Sequence, residues 1–154
     1  MQIEGGPRTK HGGNDDADNS GVLSYVRIEF AGYPFQTDQE INGLTLGSVG
    51  SGTKIDHVQV SYTNDDSYEW FGGTVNCKYL VAYKGWDDDF DTDNGFSGKV
   101  QFGLAVRDSK IADVSQSNSL RATTTPTVLT ASLTHLPYSL TSHSSARKLL
   151  TLHS

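Results

Sequence analysis

The chain has a single cysteine, Cys77, which excludes an internal disulfide framework and a cysteine-built metal site. A lone thiol of this kind reads as a small buried hydrophobe rather than a nucleophile. Apolar residues are scarce at 35%, and no run approaches the ~18 apolar residues of a transmembrane helix. Cations are also few: 12 Lys and Arg face 18 Asp and Glu, a net charge of −6. With no basic stripe, this balance argues against a nucleic-acid partner and against an anionic membrane surface. The N-terminal MQIEGGPRTKHGG lacks the apolar core of an export signal, so an exported protein is expected to carry that signal outside this sequence. Glycine, by contrast, is abundant at 16 residues and favours a turn-rich β architecture.

A further absence divides the chain. Residues 121–154 contain no Asp, no Glu and no Gly, but 14 Ser or Thr. Three segments follow from composition: a Gly/Asp-rich loop at 1–20, a β-rich body at 21–119, and a Ser/Thr-rich tail at 120–154. The tail shows neither clean alternation nor a helical stripe. It is expected to be disordered, or not to be the native continuation of the body, as after a shifted reading frame.

The body repeats. Ser24-Tyr25-Val26-Arg27-Ile28-Glu29-Phe30 aligns with Asp56-His57-Val58-Gln59-Val60-Ser61-Tyr62 and with Cys77-Lys78-Tyr79-Leu80-Val81-Ala82-Tyr83. Positions three, five and seven are apolar each time, the period-2 mark of a strand with one buried face. Val58, Tyr79 and Val100 follow one another at a constant offset of 21, whereas Val26, in the first copy, precedes Val58 by a longer stretch. The excess contains Gly32-Tyr33-Pro34-Phe35, whose proline marks a turn or loop. A period of this length indicates a solenoid, because each unit exposes an apolar face that only a neighbour can cover. The fold expected is all-β: about four coils of a right-handed parallel β-helix, each of three short strands, with Val26, Val58, Tyr79 and Val100 along one wall. A β-sandwich is the competing architecture. Tyr68-Glu69-Trp70-Phe71 and Phe90-Asp91-Thr92-Asp93 form a second ladder at an offset of 22. So short a stack needs caps, and flanking coils of a longer parent chain are expected.

The chemistry-bearing run is Trp86-Asp87-Asp88-Asp89-Phe90-Asp91-Thr92-Asp93. In an extended segment Asp87, Asp89, Asp91 and Asp93 project to one side, and such carboxylates repel unless a cation neutralises them. Ca2+ is the cofactor expected, although the glycine and glutamate of a helix-loop-helix calcium site are missing. The competing reading is a solvated acidic turn. Catalysis by a polysaccharide lyase or glycoside hydrolase would need convergent groups, for which Glu69 with Asp91, or Lys78, Lys84 and Arg107, are candidates that spacing does not single out. Trp70 and Trp86, with Glu69 beside them, are candidate sugar contacts, the alternative for Trp70 being a plug in the coil interior. Residues 47–54 imitate a phosphate loop but lack its Gly-Lys-Ser/Thr ending.

The stretches GGNDDADNSGVLSYVRIEFAG and INGLTLGSVGSGTKIDHVQVSYTNDDSYEWFGGTVNCKYLVAYKGWDDDFDTDNGFSGKVQFGLAVRD resemble a group of secreted or cell-surface proteins of Bacteroidota with a pectate-lyase-like β-helix. The resemblance covers about residues 2–119. It implies the fold and an extracellular or cell-surface location, often through a lipoprotein, and supplies no mechanism. The function expected is a non-catalytic module that binds or scaffolds polysaccharide. A calcium-assisted lyase or hydrolase fragment and a structural adhesin repeat are the alternatives.

Overall fold

The computed structural model describes residues 1–3, 9–36, 39–113 and 117–123. The tail beyond residue 123 therefore lies outside the described residues. Along the chain the strands are Val22–Glu29 (β1), Pro34–Gln36 (β2), Gln39–Glu40 (β3), Leu44–Val49 (β4), Lys54–Ser61 (β5) and Tyr68–Gly73 (β6). Asn76–Tyr83 (β7), Phe90–Asp93 (β8), Lys99–Gln101 (β9), Leu104–Val106 (β10) and Arg121–Ala122 (β11) follow. Two parallel sheets form, one ordered β1-β5-β7 with β9 and β10 both on β7, the other β4-β6-β8-β11. Each turn of chain contributes once to each sheet, which makes the molecule part of a right-handed parallel β-helix. Two sheets replace the three strands per coil expected. The long first coil holds its excess in the antiparallel β2–β3 hairpin, off both main sheets.

Rather than a constant 21, the offset is 22 from β5 to β7 and from β6 to β8, and 23 from β7 to β9 and β10. Val58 pairs with Leu80, not Tyr79, and Cys77 pairs with Val100. The inward rows are therefore Leu23–Ile55–Cys77–Val100 and Ile28–Val60–Ala82–Ala105, with Val26, Val58 and Leu80 between them. The wall expected through Tyr79 does not exist, since Tyr79 is 47% exposed.

A left-handed residue within β1, β5 and β7, and another between β9 and β10, causes the slip. Tyr25, His57, Tyr79 and Phe102 have φ of 55°, 49°, 57° and 59°. Each interrupts the alternation, so inward positions are three apart across it (Ile55, Val58) and two apart elsewhere (Val58, Val60). Bulky side chains are uncommon in this region of φ. Here they stack on one another along the outside of the coils, with ring centroids 4.4 Å (Tyr25–His57), 4.6 Å (His57–Tyr79) and 5.0 Å (Tyr79–Phe102) apart. These separations follow the strand spacing. Stacking of this kind offsets the backbone strain, so Tyr79→Leu, which keeps the strain and loses two ring contacts, is expected to cost about 1–2 kcal/mol. Urea denaturation checks this, and unchanged stability would remove the ladder from the account.

Between the sheets, Tyr68 and Trp70 of β6 face Phe90 of β8 and Phe96, all at most 3% exposed. Tyr68 Oη lies 2.8 Å from the Val58 carbonyl and 2.9 Å from that of Val81, so its one proton is satisfied inside the core. The ladder of Tyr68 on Phe90 and Trp70 on Thr92 is the offset of 22 read from the sequence. Cys77 is fully buried between Ile55 and Val100, and burial pushes its thiol up to about 12. At the C-terminal end of β6, Gly73 has φ +90°, and a Cβ there would stand 2.6 Å from both N and O of Val49. Only glycine lets these two coils close up at that corner.

A buried acidic column as the candidate functional site

In each coil the chain passes from the first sheet to the second through a loop, and these loops stack as the strands do. Residues 63–67 lead into β6, residues 84–89 into β8, and residues 117–120 into β11. Backbone bonds continue the ladder through them: Ser67 N–H donates to the Asp88 carbonyl, and Asp89 N–H to that of Asn118. An offset of 22 then superposes acid on acid. Asp65-Asp66-Ser67-Tyr68-Glu69 lies beside Asp87-Asp88-Asp89-Phe90-Asp91, with Glu69 paired to Asp91.

Two groups of oxygens result. Carboxylate oxygens of Asp66, Asp88 and Asp91 lie within 4.8 Å of one another, and so do those of Asp65, Asp66 and Asp87. Asp66, Asp88 and Asp91 are 6%, 1% and 3% exposed. Asp66 Oδ1 accepts the Asp88 N–H at 2.9 Å, and Asp88 Oδ1 accepts from both the backbone and the side chain of Asn118. Among the described residues, Asp88 Oδ2 and Asp91 Oδ1 accept no hydrogen bond. Glu69, at the upper end of the column, takes the side-chain amide of buried Asn42.

Two guanidinium groups face this concentration of acids. Arg107 reaches Asp89 at 3.2 Å while donating to the carbonyls of Asp87, at 2.7 Å, and Asn118, at 3.3 Å, so it ties two loops together. Arg121 of β11 stands 3.5 Å from Asp88 Oδ2 and 3.7 Å from Asp91 Oδ2. Seven carboxyl groups (Asp65, Asp66, Glu69, Asp87, Asp88, Asp89, Asp91) share those two cations. Burial, reinforced by neighbouring acids, pushes Asp65 and Asp87 up to about 6 and Asp66 up to about 9. Burial also raises Asp89 and Asp91 to about 6, against the opposing pull of Arg107 and Arg121.

The arrangement differs from the one expected on a single strand. Asp87 and Asp89 precede β8 in a loop, where alternation does not apply; Asp89 turns to Arg107 and Asp87 joins the outer group. Asp91 is central. Asp93 sits at the far end of β8, in neither group, its Oδ1 accepting the Asn94 N–H at 2.6 Å. Alternation along one strand misses Asp66 and Asp88, because the convergence lies between coils. The signal for them is the repeated Asp-Asp-x-aromatic-acid motif at an offset of 22.

Of the candidate sugar contacts, Trp70 is the interior plug and offers no ring face, and Glu69 is 7% exposed and bonded to Asn42. Trp86 is 45% exposed at the start of the acidic loop. Lys84 pairs with Asp108 at 3.6 Å and leans over the Tyr83 ring.

All the donors in the inner group are carboxylate oxygens, the set suited to a hard divalent cation. Three carboxylate oxygens mutually within 4.8 Å are close enough together to reach one divalent ion. Two oxygens of this group, Asp88 Oδ2 and Asp91 Oδ1, accept no hydrogen bond among the described residues, so the residues fit such an ion; both oxygens of Asp89, outside the group, are in the same state beside Arg107.

Coils stacked in two parallel sheets define the parallel β-helix class. A family model described as pectate-lyase like beta helix domain matches residues 4–148, and the chain belongs to that family. The match runs past residue 119 into the Ser/Thr-rich segment. No curated protein and no solved structure matches the chain. No helix among the described residues is long and apolar enough to cross a membrane.

Proposed function

We propose that this chain is a non-catalytic β-helix module that binds or scaffolds polysaccharide outside the cell or at its surface, with Ca2+ held by Asp66, Asp88 and Asp91. Membership of a pectate-lyase-like β-helix family carries the reading. The burial of the acids supports the non-catalytic part. Glu69 and Asp91, the pair that would do acid–base work on a glycosidic bond, are 7% and 3% exposed and are engaged by Asn42 and Arg121. General acid–base catalysis requires a carboxyl within hydrogen-bond reach of the substrate. The half-exposed ring of Trp86 supplies a platform for a sugar face at the mouth of the calcium loop.

A glycan array run with calcium and again with chelator tests this. Acidic or neutral polysaccharide is expected to be retained, and Trp86→Ala to weaken retention about tenfold or more with little change in melting temperature. If no glycan is retained, the binding reading falls. Appearance of unsaturated or shortened sugar products would instead make the protein an enzyme.

A further inference from the structure

Arg107 and Arg121 both pair with the acidic column, yet they are held differently. Arg107 is locked by three backbone carbonyls, of Trp86, Asp87 and Asn118. Arg121 reaches Asp88 and Asp91 only by ion pairs of 3.5 and 3.7 Å, longer than the ~2.7–2.9 Å of a charge-assisted hydrogen bond. Its side chain is 52% exposed, whereas those of Asp88 and Asp91 are 1% and 5% exposed. One half-exposed cation thus enters from solvent to face two of the three carboxylates that would ligate a metal. Asp91 Oδ1, on a side chain almost wholly buried, accepts no hydrogen bond among the described residues and is one of the oxygens left for an ion.

We infer that Arg121 is an exchangeable internal counter-cation: it neutralises Asp88 and Asp91 when the metal is away, and a divalent ion entering the Asp66–Asp88–Asp91 group displaces it. The inference rests on the cation reading proposed above and adds its regulation. A guanidinium and a divalent ion cannot both lie against Asp88 and Asp91 without mutual repulsion at short range. Calcium affinity is therefore set partly by how firmly β11 docks. That strand is only two residues long, held in register by Arg121 on Asp91 and Ala122 on Thr92 and by the Thr123 N–H on the Thr92 carbonyl at 3.0 Å. Metal entry and the docking of β11 oppose each other, which couples the ion to one edge of the second sheet.

Calorimetric titration of the intact chain with calcium chloride at pH 7.5 decides the matter. Arg121→Gln is expected to bind calcium about tenfold or more tightly than the parent, and Arg121→Lys, which keeps the charge, to stay within a few-fold of it. Equal or weaker binding by Arg121→Gln would overturn the exchange while leaving the cation site in place. Absence of calcium binding in all three proteins would remove the site and the exchange together. If Arg121→Gln does not fold, amide exchange of the parent at Thr123 takes over. Faster exchange with calcium than with chelator supports displacement of β11, and an unchanged rate overturns it.

Discussion

In chelator, the melting temperature is expected to fall as pH rises from 4 to 7, by about 10 °C or more, and saturating calcium is expected to abolish most of that fall. The unfolded aspartates titrate near 3.8, and in the folded chain Asp65, Asp87, Asp89 and Asp91 are raised to about 6. A raised folded pKa means that the folded state holds the proton more tightly. Its stabilising effect is fully present below about 3.8 and is lost as pH rises through about 6, where burial begins to act on charges. For Asp91 alone the shift corresponds to about 3 kcal/mol, and because the acids repel one another the separate values do not add. Each kilocalorie moves the midpoint of a chain this size by several degrees. Asp66, raised to about 9, keeps its proton across the window. Asp56 works in the opposite sense: hydrogen bonds from Ser24 and His57 lower it to about 2, so its stabilisation fades only below that window. Calcium takes carboxylates in their ionised form and would displace the proton that Asp66 otherwise keeps, so with the other acids ionised its effect is greatest at pH 7. Thermal melts at pH 4, 5.5 and 7 with and without calcium check this. A midpoint that rises from pH 4 to 7 in chelator would show that the acids are not buried as described.

Trp70→Ala is expected to cost about 3–5 kcal/mol, enough to abolish cooperative unfolding in so short a stack. The ring is wholly buried and touches three others, at 5.9 Å (Tyr68), 6.5 Å (Phe90) and 5.6 Å (Phe96), so its removal opens a cavity spanning two coils. Circular dichroism through a urea gradient measures the loss. A sharp transition with less than about 1 kcal/mol of change would mean that the coils do not share one core. Trp86, half-exposed on a loop, makes the contrast: its truncation is expected to be nearly silent in the same experiment.

The pairing of two ladders is legible in the sequence because apolar residues recur in it at a nearly constant interval. Tyr68 on Phe90 reads at the right offset, since no left-handed residue interrupts β6 or β8 between inward positions. In the other sheet the same counting slips by one at Tyr79. Tyr79 and Leu80 are both apolar, and nothing in their chemistry announces that the backbone turns left-handed at Tyr79 and sends its ring outward. An aromatic at positive φ is stabilised there by His57 and Phe102, each a full coil away, a cause invisible to any local window. The acidic groups are hard to read from one strand for a related reason: carboxylates converge between coils, so Asp66 and Asp88 meet through an offset of 22 while Asp89 turns to Arg107 and Asp93 lies in neither group. Arg121 is beyond reach of the pattern altogether, because its pairing with Asp91 closes a coil longer than the repeat and crosses the change in composition.

Cys77 gives the stack a clock. It is the single thiol of the chain, sealed between the first-sheet strands of two neighbouring coils and far from the thiolate form at neutral pH. An alkylating reagent reaches it only when those strands part, so the labelling rate measures how often neighbouring coils separate, without a probe being added to the molecule.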